Sequence, residues 1–132
     1  MTGTPQNSLI PYDVSELQDG SAIVYSWTLT STNDTAMPAR MPEWSERSVH
    51  MWGTWGGATA IMEGSNDLTA PNPVDFEQLH NFQGTAIALT ANGISAILES
   101  TYYIRPRLSV DGTGASVTVN LLLLRNQPSR VA

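Results

Sequence analysis

Few side chains in this 132-residue sequence have the types and spacing that catalysis or metal binding requires. The chain has no cysteine, which excludes disulfides, thiolate metal sites and thiol nucleophiles. His50 and His80, the two histidines, lie in different predicted strands, and neither has a neighbouring His or Cys to complete a transition-metal site. No serine stands in a Gly-x-Ser-x-Gly motif, and no glycine-rich segment matches a phosphate-binding loop. The sequence therefore predicts no catalytic residue, no cofactor and no metal ligand of this kind.

The twelve carboxylates are the remaining candidates for chemistry. Asp67, Asp75 and Glu77 flank the connection at residues 72–73, where they and backbone carbonyls offer ligands for calcium, although their spacing fits no EF-hand. The alternative, which we take as the expectation, is that they are solvated loop acids. A glycosidase pair is not identifiable from sequence, because two catalytic acids need only be close in space. We therefore expect a protein that is not an enzyme and that binds no metal.

The charge distribution argues against nucleic acids and membranes as partners. The net charge is −6, and all six basic residues are arginine. An acidic chain without a basic cluster lacks the positive surface of nucleic-acid binders. The longest apolar run, residues 121–124, is too short to span a bilayer, and residues 1–11 lack the apolar stretch of a secretory signal. Charged residues are only 14% of the chain, which fits either a surface covered by neighbouring proteins or a Thr-rich all-β domain.

Alternating apolar residues separated by turn signals predict an all-β chain. We interpret residues 1–21 as an extended N-terminal arm, 22–125 as one β-sandwich domain and 126–132 as a C-terminal tail. About eight short strands, at 22–30, 47–55, 58–65, 76–82, 85–90, 94–99, 102–110 and 115–124, have the spacing typical of a sandwich or jelly roll. No segment has a sustained 3.6-residue apolar period, so we expect little helix.

The last predicted strand is apolar on both faces at its end. Its core face is regular, whereas its other face begins polar and turns apolar at Leu122 and Leu124. Such an end is covered on both sides, either by a long loop of the same chain or by another subunit. Pro106 in the preceding strand predicts an edge or a bulge there. The predicted core comprises Ile23, Tyr25, Trp27, Val49, Met51, Ile61, Ile104, Leu108, Val117, Val119 and Leu121.

A long loop, residues 31–46, separates the first strand from the others. It is longer than most connections in compact domains, and its methionines and tryptophan are adaptable anchors for a partner surface. The alternative is that the loop folds back over an open end of the domain's own core. The residues predicted to bind partners, from the arm, the loop and the strand ends, are Leu9, Ile10, Tyr12, Met37, Met41, Trp44, Trp52, Trp55, Leu122 and Leu124.

Residues 48–67, Ser-Val-His-Met-Trp-Gly-Thr-Trp-Gly-Gly-Ala-Thr-Ala-Ile-Met-Glu-Gly-Ser-Asn-Asp, resemble a pattern of tailed-bacteriophage virion proteins. Tyr-Tyr-Ile-Arg-Pro at 102–106, a glycine-rich turn at 111–114 and a Val/Leu strand at 117–125 continue it. The resemblance covers residues 47–125 and points to capsid decoration, or cement, proteins, whose fold is a β-sandwich. It implies a structural protein, made in the host cytoplasm, that binds the outer capsid surface of the virion and bridges neighbouring major capsid proteins.

Two other classes remain open. Gly-Ser-Asn-Asp followed by Tyr-x-Arg is also similar to discoidin-like carbohydrate-binding jelly rolls, but Leu68 and prolines follow here where that family has Gly and Trp. The other alternative is a different virion component, such as a tail or fibre-associated module. Because Leu122, Leu124, Trp52 and Trp55 need apolar cover on more than one side, we expect a symmetric homo-oligomer, with a dimer preferred over a trimer.

Overall fold

The computed structural model describes residues 9–16, 20–40, 46–68 and 75–124. These residues form twelve strands and contain no helix, and five of the strands have only two residues. The strands are β1 (Leu9–Ile10), β2 (Asp13–Glu16), β3 (Ala22–Leu29), β4 (Thr35–Ala36), β5 (Ala39–Arg40), β6 (Glu46–Thr54), β7 (Thr59–Ser65), β8 (Glu77–Gln78), β9 (Ala88–Leu89), β10 (Gly93–Ala96), β11 (Tyr103–Val110) and β12 (Ser116–Leu124).

Two antiparallel sheets carry the fold. The first sheet has five strands in the order β10-β6-β12-β3-β2. The second has the order β5-β11-β7-β8, and β9 pairs with the other end of β7. β1 and β4 form a short parallel pair beside them. The all-β sandwich predicted from the sequence is confirmed.

The core lies between the two sheets, and each sheet contributes alternate residues to it. Along β12, buried and less buried residues alternate strictly, as the two-residue period of a strand requires. The first sheet contributes Ile23, Trp27, Leu29, Val49, Met51, Val117, Val119, Leu121 and Leu123, and the second Ala39, Ala60, Met62, Ile104 and Leu108.

Two residues of the predicted core differ from the rest. Tyr25 is half-buried and packs against the edge of the core. Ile61 is buried, but it lies on the opposite face of β7 from Ala60 and Met62, because successive strand residues point to opposite sides. It therefore belongs to the outer side of the second sheet and not to the cluster between the sheets.

The described part of the long loop, residues 31–40, folds onto its own domain. The Asp34 carboxylate accepts hydrogen bonds from the backbone amides of Thr30 and Ser31, which fixes the turn after β3. β5 then pairs with β11 and places Ala39 in the core. This agrees with the second of the two interpretations of the loop, for these ten positions.

Residues 9–16 of the predicted arm are also part of the sandwich. β2 extends the first sheet beyond β3. The Tyr12 ring packs edge-on against Tyr25 and Trp27, with ring centroids 4.7 Å and 5.9 Å apart. Aromatic pairs at such distances stabilise a fold by about 0.5–1.5 kcal/mol each. This segment therefore anchors the chain to the first sheet.

Pro106 lies where β11 has a neighbour on one side only. β5 pairs with Tyr103 and Ile104 and ends before Pro106, whereas β7 continues alongside. The missing amide of Pro106 therefore costs no ladder hydrogen bond on the open side. A register shift follows between Leu108 and Val110, so the expected edge and irregularity are both present in this strand.

Candidate binding surface on the first sheet

Two neighbouring rows of residues lie on the outer face of the first sheet, which points away from the core. Directly opposite residues in antiparallel strands lie about 5 Å apart, so each row forms a continuous strip of surface. The register places Ala96, Ser48, Leu122 and Val24 in one row, and Ile94, His50, Asn120 and Ser26 in the next.

Two open grooves cross this face and join each other. The first, about 390 Å³, is lined by Glu46, Arg47, Ser48, Phe82, Ala96, Leu122 and Leu124. The second, about 270 Å³, is lined by Val24, Ser48, His50, Ile94, Asn120 and Leu122. Ser48 and Leu122 belong to both linings, so the grooves form one surface. We call its apolar members, Val24, Phe82, Ile94, Ala96, Leu122 and Leu124, the apolar patch.

The largest side chains of the apolar patch are strongly exposed. Ile94 is 70% exposed and Phe82 67%, and Leu124 is about one-third exposed, at 37%. Single exposed apolar residues are ordinary, whereas a contiguous group of them marks a candidate interaction site. Their clustering around shared grooves is therefore typical of a binding surface.

Phe82 projects from a turn that its neighbours hold in one conformation. The Asn81 side-chain oxygen accepts hydrogen bonds from the amides of Gln83 and Thr85, at 2.9 Å and 3.0 Å. The Asn81 amide donates to the Thr85 carbonyl, and Gly84 has the positive φ of 84° that closes the turn. A rigid turn presents the phenyl ring without the entropy cost of ordering a flexible loop on binding.

Asn120 lies in the second groove with an unsatisfied acceptor. Its side-chain oxygen is shielded from solvent and makes no hydrogen bond within the described residues. A shielded polar atom without a partner costs about 1–3 kcal/mol. Asn120 therefore places a shielded, unpaired polar atom beneath the floor of the second groove.

Three of the predicted partner-binding residues lie on the outer face. Leu122 and Leu124 line the first groove. Trp52 lies further along the same face, opposite Thr118, with its ring 4.6 Å from the His50 ring. The two-sided end of the last strand and Trp52 therefore share one face of the sheet, but Trp52 lies opposite Thr118, four residues before Leu122, and lines neither groove.

The other predicted residues contact their own chain or lie outside the described ranges. Ile10 and Tyr12 pack against the core, and Leu9 is half-buried in β1. Met37 is exposed, but its carbonyl accepts the Trp27 indole hydrogen bond at 2.9 Å.

Trp55 packs against the core and donates to the Asn92 side-chain oxygen at 2.8 Å. Asn92 also accepts from the Gly53 amide. Gly53 has φ 140°, and a Cβ there would collide with the Ser116 carbonyl oxygen, so only glycine fits. Met41 and Trp44 lie outside the described residues.

Four patch residues, Val24, Phe82, Ile94 and Ala96, were not predicted from the sequence. Asn92 and Gly93 signal the turn before β10, and alternation places Ile94 and Ala96 on one face. The pattern does not say which face is outward. The sequence predicts Phe82 at the end of a strand, 76–82, whereas it lies in the turn that follows β8.

The closest pair of titratable side chains in the described chain is His80 and Glu99. The His80 Nδ1 atom lies 2.6 Å from the Glu99 carboxylate, and the His80 amide donates to its other oxygen at 2.8 Å. Arg47 Nη1 donates to the Glu99 carbonyl at 3.0 Å. Both oxygens of the Glu99 carboxylate therefore contact His80. Because His80 follows β8 and Glu99 precedes β11, these contacts link the two segments.

Glu99→Gln is expected to destabilise the protein at neutral pH and to have less effect in acid. Burial of the Glu99 carboxyl acts to raise its pKa, but the hydrogen bonds from the His80 amide and imidazole outweigh burial and lower the pKa. Because the pKa of Glu99 is lower in the folded state, ionised Glu99 stabilises the fold at pH values above its ordinary pKa of about 4.3. This stabilisation is lost as the pH falls through the lower, folded-state pKa.

Urea unfolding between pH 7 and pH 3 measures the difference in free energy of unfolding between the wild type and Glu99→Gln. Glu77→Gln, the same substitution at an exposed position of β8, is the control for the loss of one charge. A stability gap that stays constant down to the lowest pH would contradict the role assigned to Glu99.

In the parts of the chain that the structure describes, no three His, Asp or Glu side chains are close enough to hold a metal ion. Among the same residues, no helix is long and apolar enough to cross a membrane. Comparisons with protein-family models, with curated proteins and with solved structures found no match to this chain.

Proposed function

We propose that this protein is a non-enzymatic structural protein that attaches to a larger protein surface through the apolar patch, and that this surface is the outside of a bacteriophage capsid. The observation that carries the proposal is the patch itself, with two strongly exposed large side chains around joined grooves. Attachment through such a surface needs no cofactor and no catalytic group.

The composition of the outer face supports attachment to a protein. Interface centres are apolar and aromatic, and polar groups surround them. Here Phe82, Leu122 and Leu124 lie together, and Glu46 and Arg47 line the same groove. Buried aromatic anchors dominate the affinity of many protein interfaces. A ring on a rigid turn beside a leucine-lined groove has the properties of such an anchor.

The capsid as the partner rests on the resemblance of residues 48–67, 102–106 and 117–125 to decoration proteins of tailed phages. A decoration protein bridges neighbouring copies of the major capsid protein, and once one contact forms, the second is effectively intramolecular. A small domain can thus stabilise a capsid through contacts that are individually modest. The virion would be its location after synthesis in the host cytoplasm.

A homo-oligomer, with a dimer preferred over a trimer, is part of the same proposal. The two edges of the first sheet differ in the charges that usually keep edge strands from pairing. β2 carries Asp13 and Glu16, whereas β10 carries no charged residue and no proline. A twofold contact that brings two β10 edges together would bury the same surface on both copies.

Sedimentation with empty capsids of the phage that encodes the chain tests the proposal. The purified protein is expected to sediment with the capsids and to saturate at a fixed ratio to the major capsid protein, because the capsid offers equivalent sites. Serum albumin at the same concentration is the control for trapping. Protein that stays in the supernatant at every concentration, with capsids intact, would overturn the capsid assignment.

A further inference from the structure

The outer face of the second sheet carries a buried carboxylate between two arginines. Glu63, in β7, is buried. Arg105 Nε lies 3.1 Å from one of its oxygens, and Arg107 Nε lies 2.8 Å from the other. Arg105 and Arg107 are alternate residues of β11, so both project from the same face towards Glu63. One carboxylate therefore orients two guanidinium groups side by side.

The cluster of Glu63, Arg105 and Arg107 has a net positive charge. Glu63 compensates one of the two arginines, so the cluster keeps one positive charge in a chain whose net charge is −6. Both contacts to Glu63 use the Nε atom. In the described residues, neither arginine uses its Nη atoms in a hydrogen bond. The Nη atoms of both side chains thus have no hydrogen-bond partner among the described residues.

The two arginines are also held in place. The guanidinium carbon of Arg105 lies 3.7 Å from the centroid of the Phe76 ring, a cation–π contact that restricts the side chain. The Arg105 side chain is 18% exposed and that of Arg107 40%, so one group is shielded and the other is open to solvent. On β8, Gln78 lies opposite Glu63 and Glu77 lies opposite Gly64. Because adjacent strand residues point to opposite sides, the Glu77 side chain is on the other side of β8 from Gln78.

We propose that Arg105 and Arg107 form an oxyanion-binding site, which takes a carboxylate or phosphate group between their Nη atoms. Guanidinium groups match the geometry of both oxyanions, and charge-assisted hydrogen bonds of this kind are about twice as strong as neutral ones. Glu63 is a positioning residue, because it binds the Nε edges of both guanidinium groups and leaves their Nη atoms without a partner among the described residues. The site is separate from the apolar patch, which lies on the other sheet.

Isothermal titration of the full chain with inorganic phosphate and with succinate, at constant ionic strength in chloride, tests the site and distinguishes the two ligand sources. Saturable binding of at least one anion is expected. Arg107→Gln is expected to weaken it about tenfold or more, which is about 1.4 kcal/mol. Arg107→Lys keeps the charge but loses the fork, so it should also weaken binding.

Arg40→Gln is the matched control. Arg40 lies on neighbouring β5 opposite Tyr103, is exposed and has no ion pair within the described residues, so its removal changes the net charge equally and breaks no ion pair of the Glu63 cluster. Its affinity should stay within about twofold of the wild type. Equal weakening by Arg40→Gln and Arg107→Gln, or no saturable binding of either anion, would overturn the proposal. If Arg107→Gln fails to fold, Arg107→Lys against Arg40→Lys gives a comparison at equal net charge, and equal weakening by these two variants would also overturn the proposal.

Discussion

Val119→Asp is expected to prevent folding altogether. β12 is the central strand of the first sheet, and Val119 lies between Trp27 on β3 and Met51 on β6. All three side chains are fully buried. Losing a buried valine costs about 1.5–3 kcal/mol, and burying an unpaired carboxylate costs several kcal/mol more. The sum is comparable with the entire stability of a domain, about 5–15 kcal/mol.

Circular dichroism and thermal melting of the purified variant measure this loss. Thr118→Asp is the control, because Thr118 is the adjacent residue of β12, points to the outer face and is only half-buried. It introduces the same charge one residue away and should leave a cooperative melting transition. A soluble Val119→Asp protein that melts cooperatively would mean that the inward face of β12 has been misassigned.

The long strands were predictable because a two-residue period is a local property of the sequence. The predicted bounds of β3, β6, β7, β11 and β12 lie within one residue of those in the structure at each end. The two-residue strands β8 and β9 were predicted as longer strands, since residues 76–90 are apolar enough to suggest them. In the structure this segment follows β7 only in short stretches and turns at Asn81–Thr85. Such pairing depends on a distant strand, and no local pattern encodes it.

The candidate site was predictable where a strand broke its own alternation. Leu122 and Leu124 stand at outward positions of a strand whose inward face is already apolar, so the sequence marks them as covered. Ile10 and Tyr12 were predicted as partner contacts, yet they pack on their own core. An apolar residue in a proline-containing segment needs cover, but its position in the chain does not say which surface provides it.

The arginine cluster was not predictable from single segments. Glu63 is an acid within an apolar strand, and the two arginines flank a proline more than forty residues later. Only the register of β7 with β11 places Glu63 opposite Arg105 and beside Arg107. The register between strands that are distant in sequence is fixed by the packing of the whole core. Local sequence patterns therefore do not predict which acid lies beside which arginine.

The double substitution Phe82→Asp and Ile94→Asp is expected to reduce capsid attachment about 100-fold or more while leaving the fold intact. Both side chains are mostly exposed, so the folded chain loses little buried area. At an interface, each apolar anchor replaced by a carboxylate costs about 2 kcal/mol or more, because the charge must be desolvated against apolar groups. Two such losses exceed two factors of ten in affinity.

Leu68→Asp with Val110→Asp is the matched control. These side chains are 63% and 50% exposed and neither lines a groove of the outer face, so the control adds the same two charges elsewhere.

Capsid sedimentation and light scattering on both double variants then determine which partner binds the apolar patch. Loss of capsid attachment in the Phe82 and Ile94 variant alone, with unchanged molar mass, makes the patch the capsid-binding surface. A fall in molar mass from dimer to monomer with attachment retained makes a second copy its occupant and overturns capsid docking there. If neither quantity differs between the two variants, the apolar patch is not a docking surface, since no interface tolerates two buried, unpaired carboxylates at its centre.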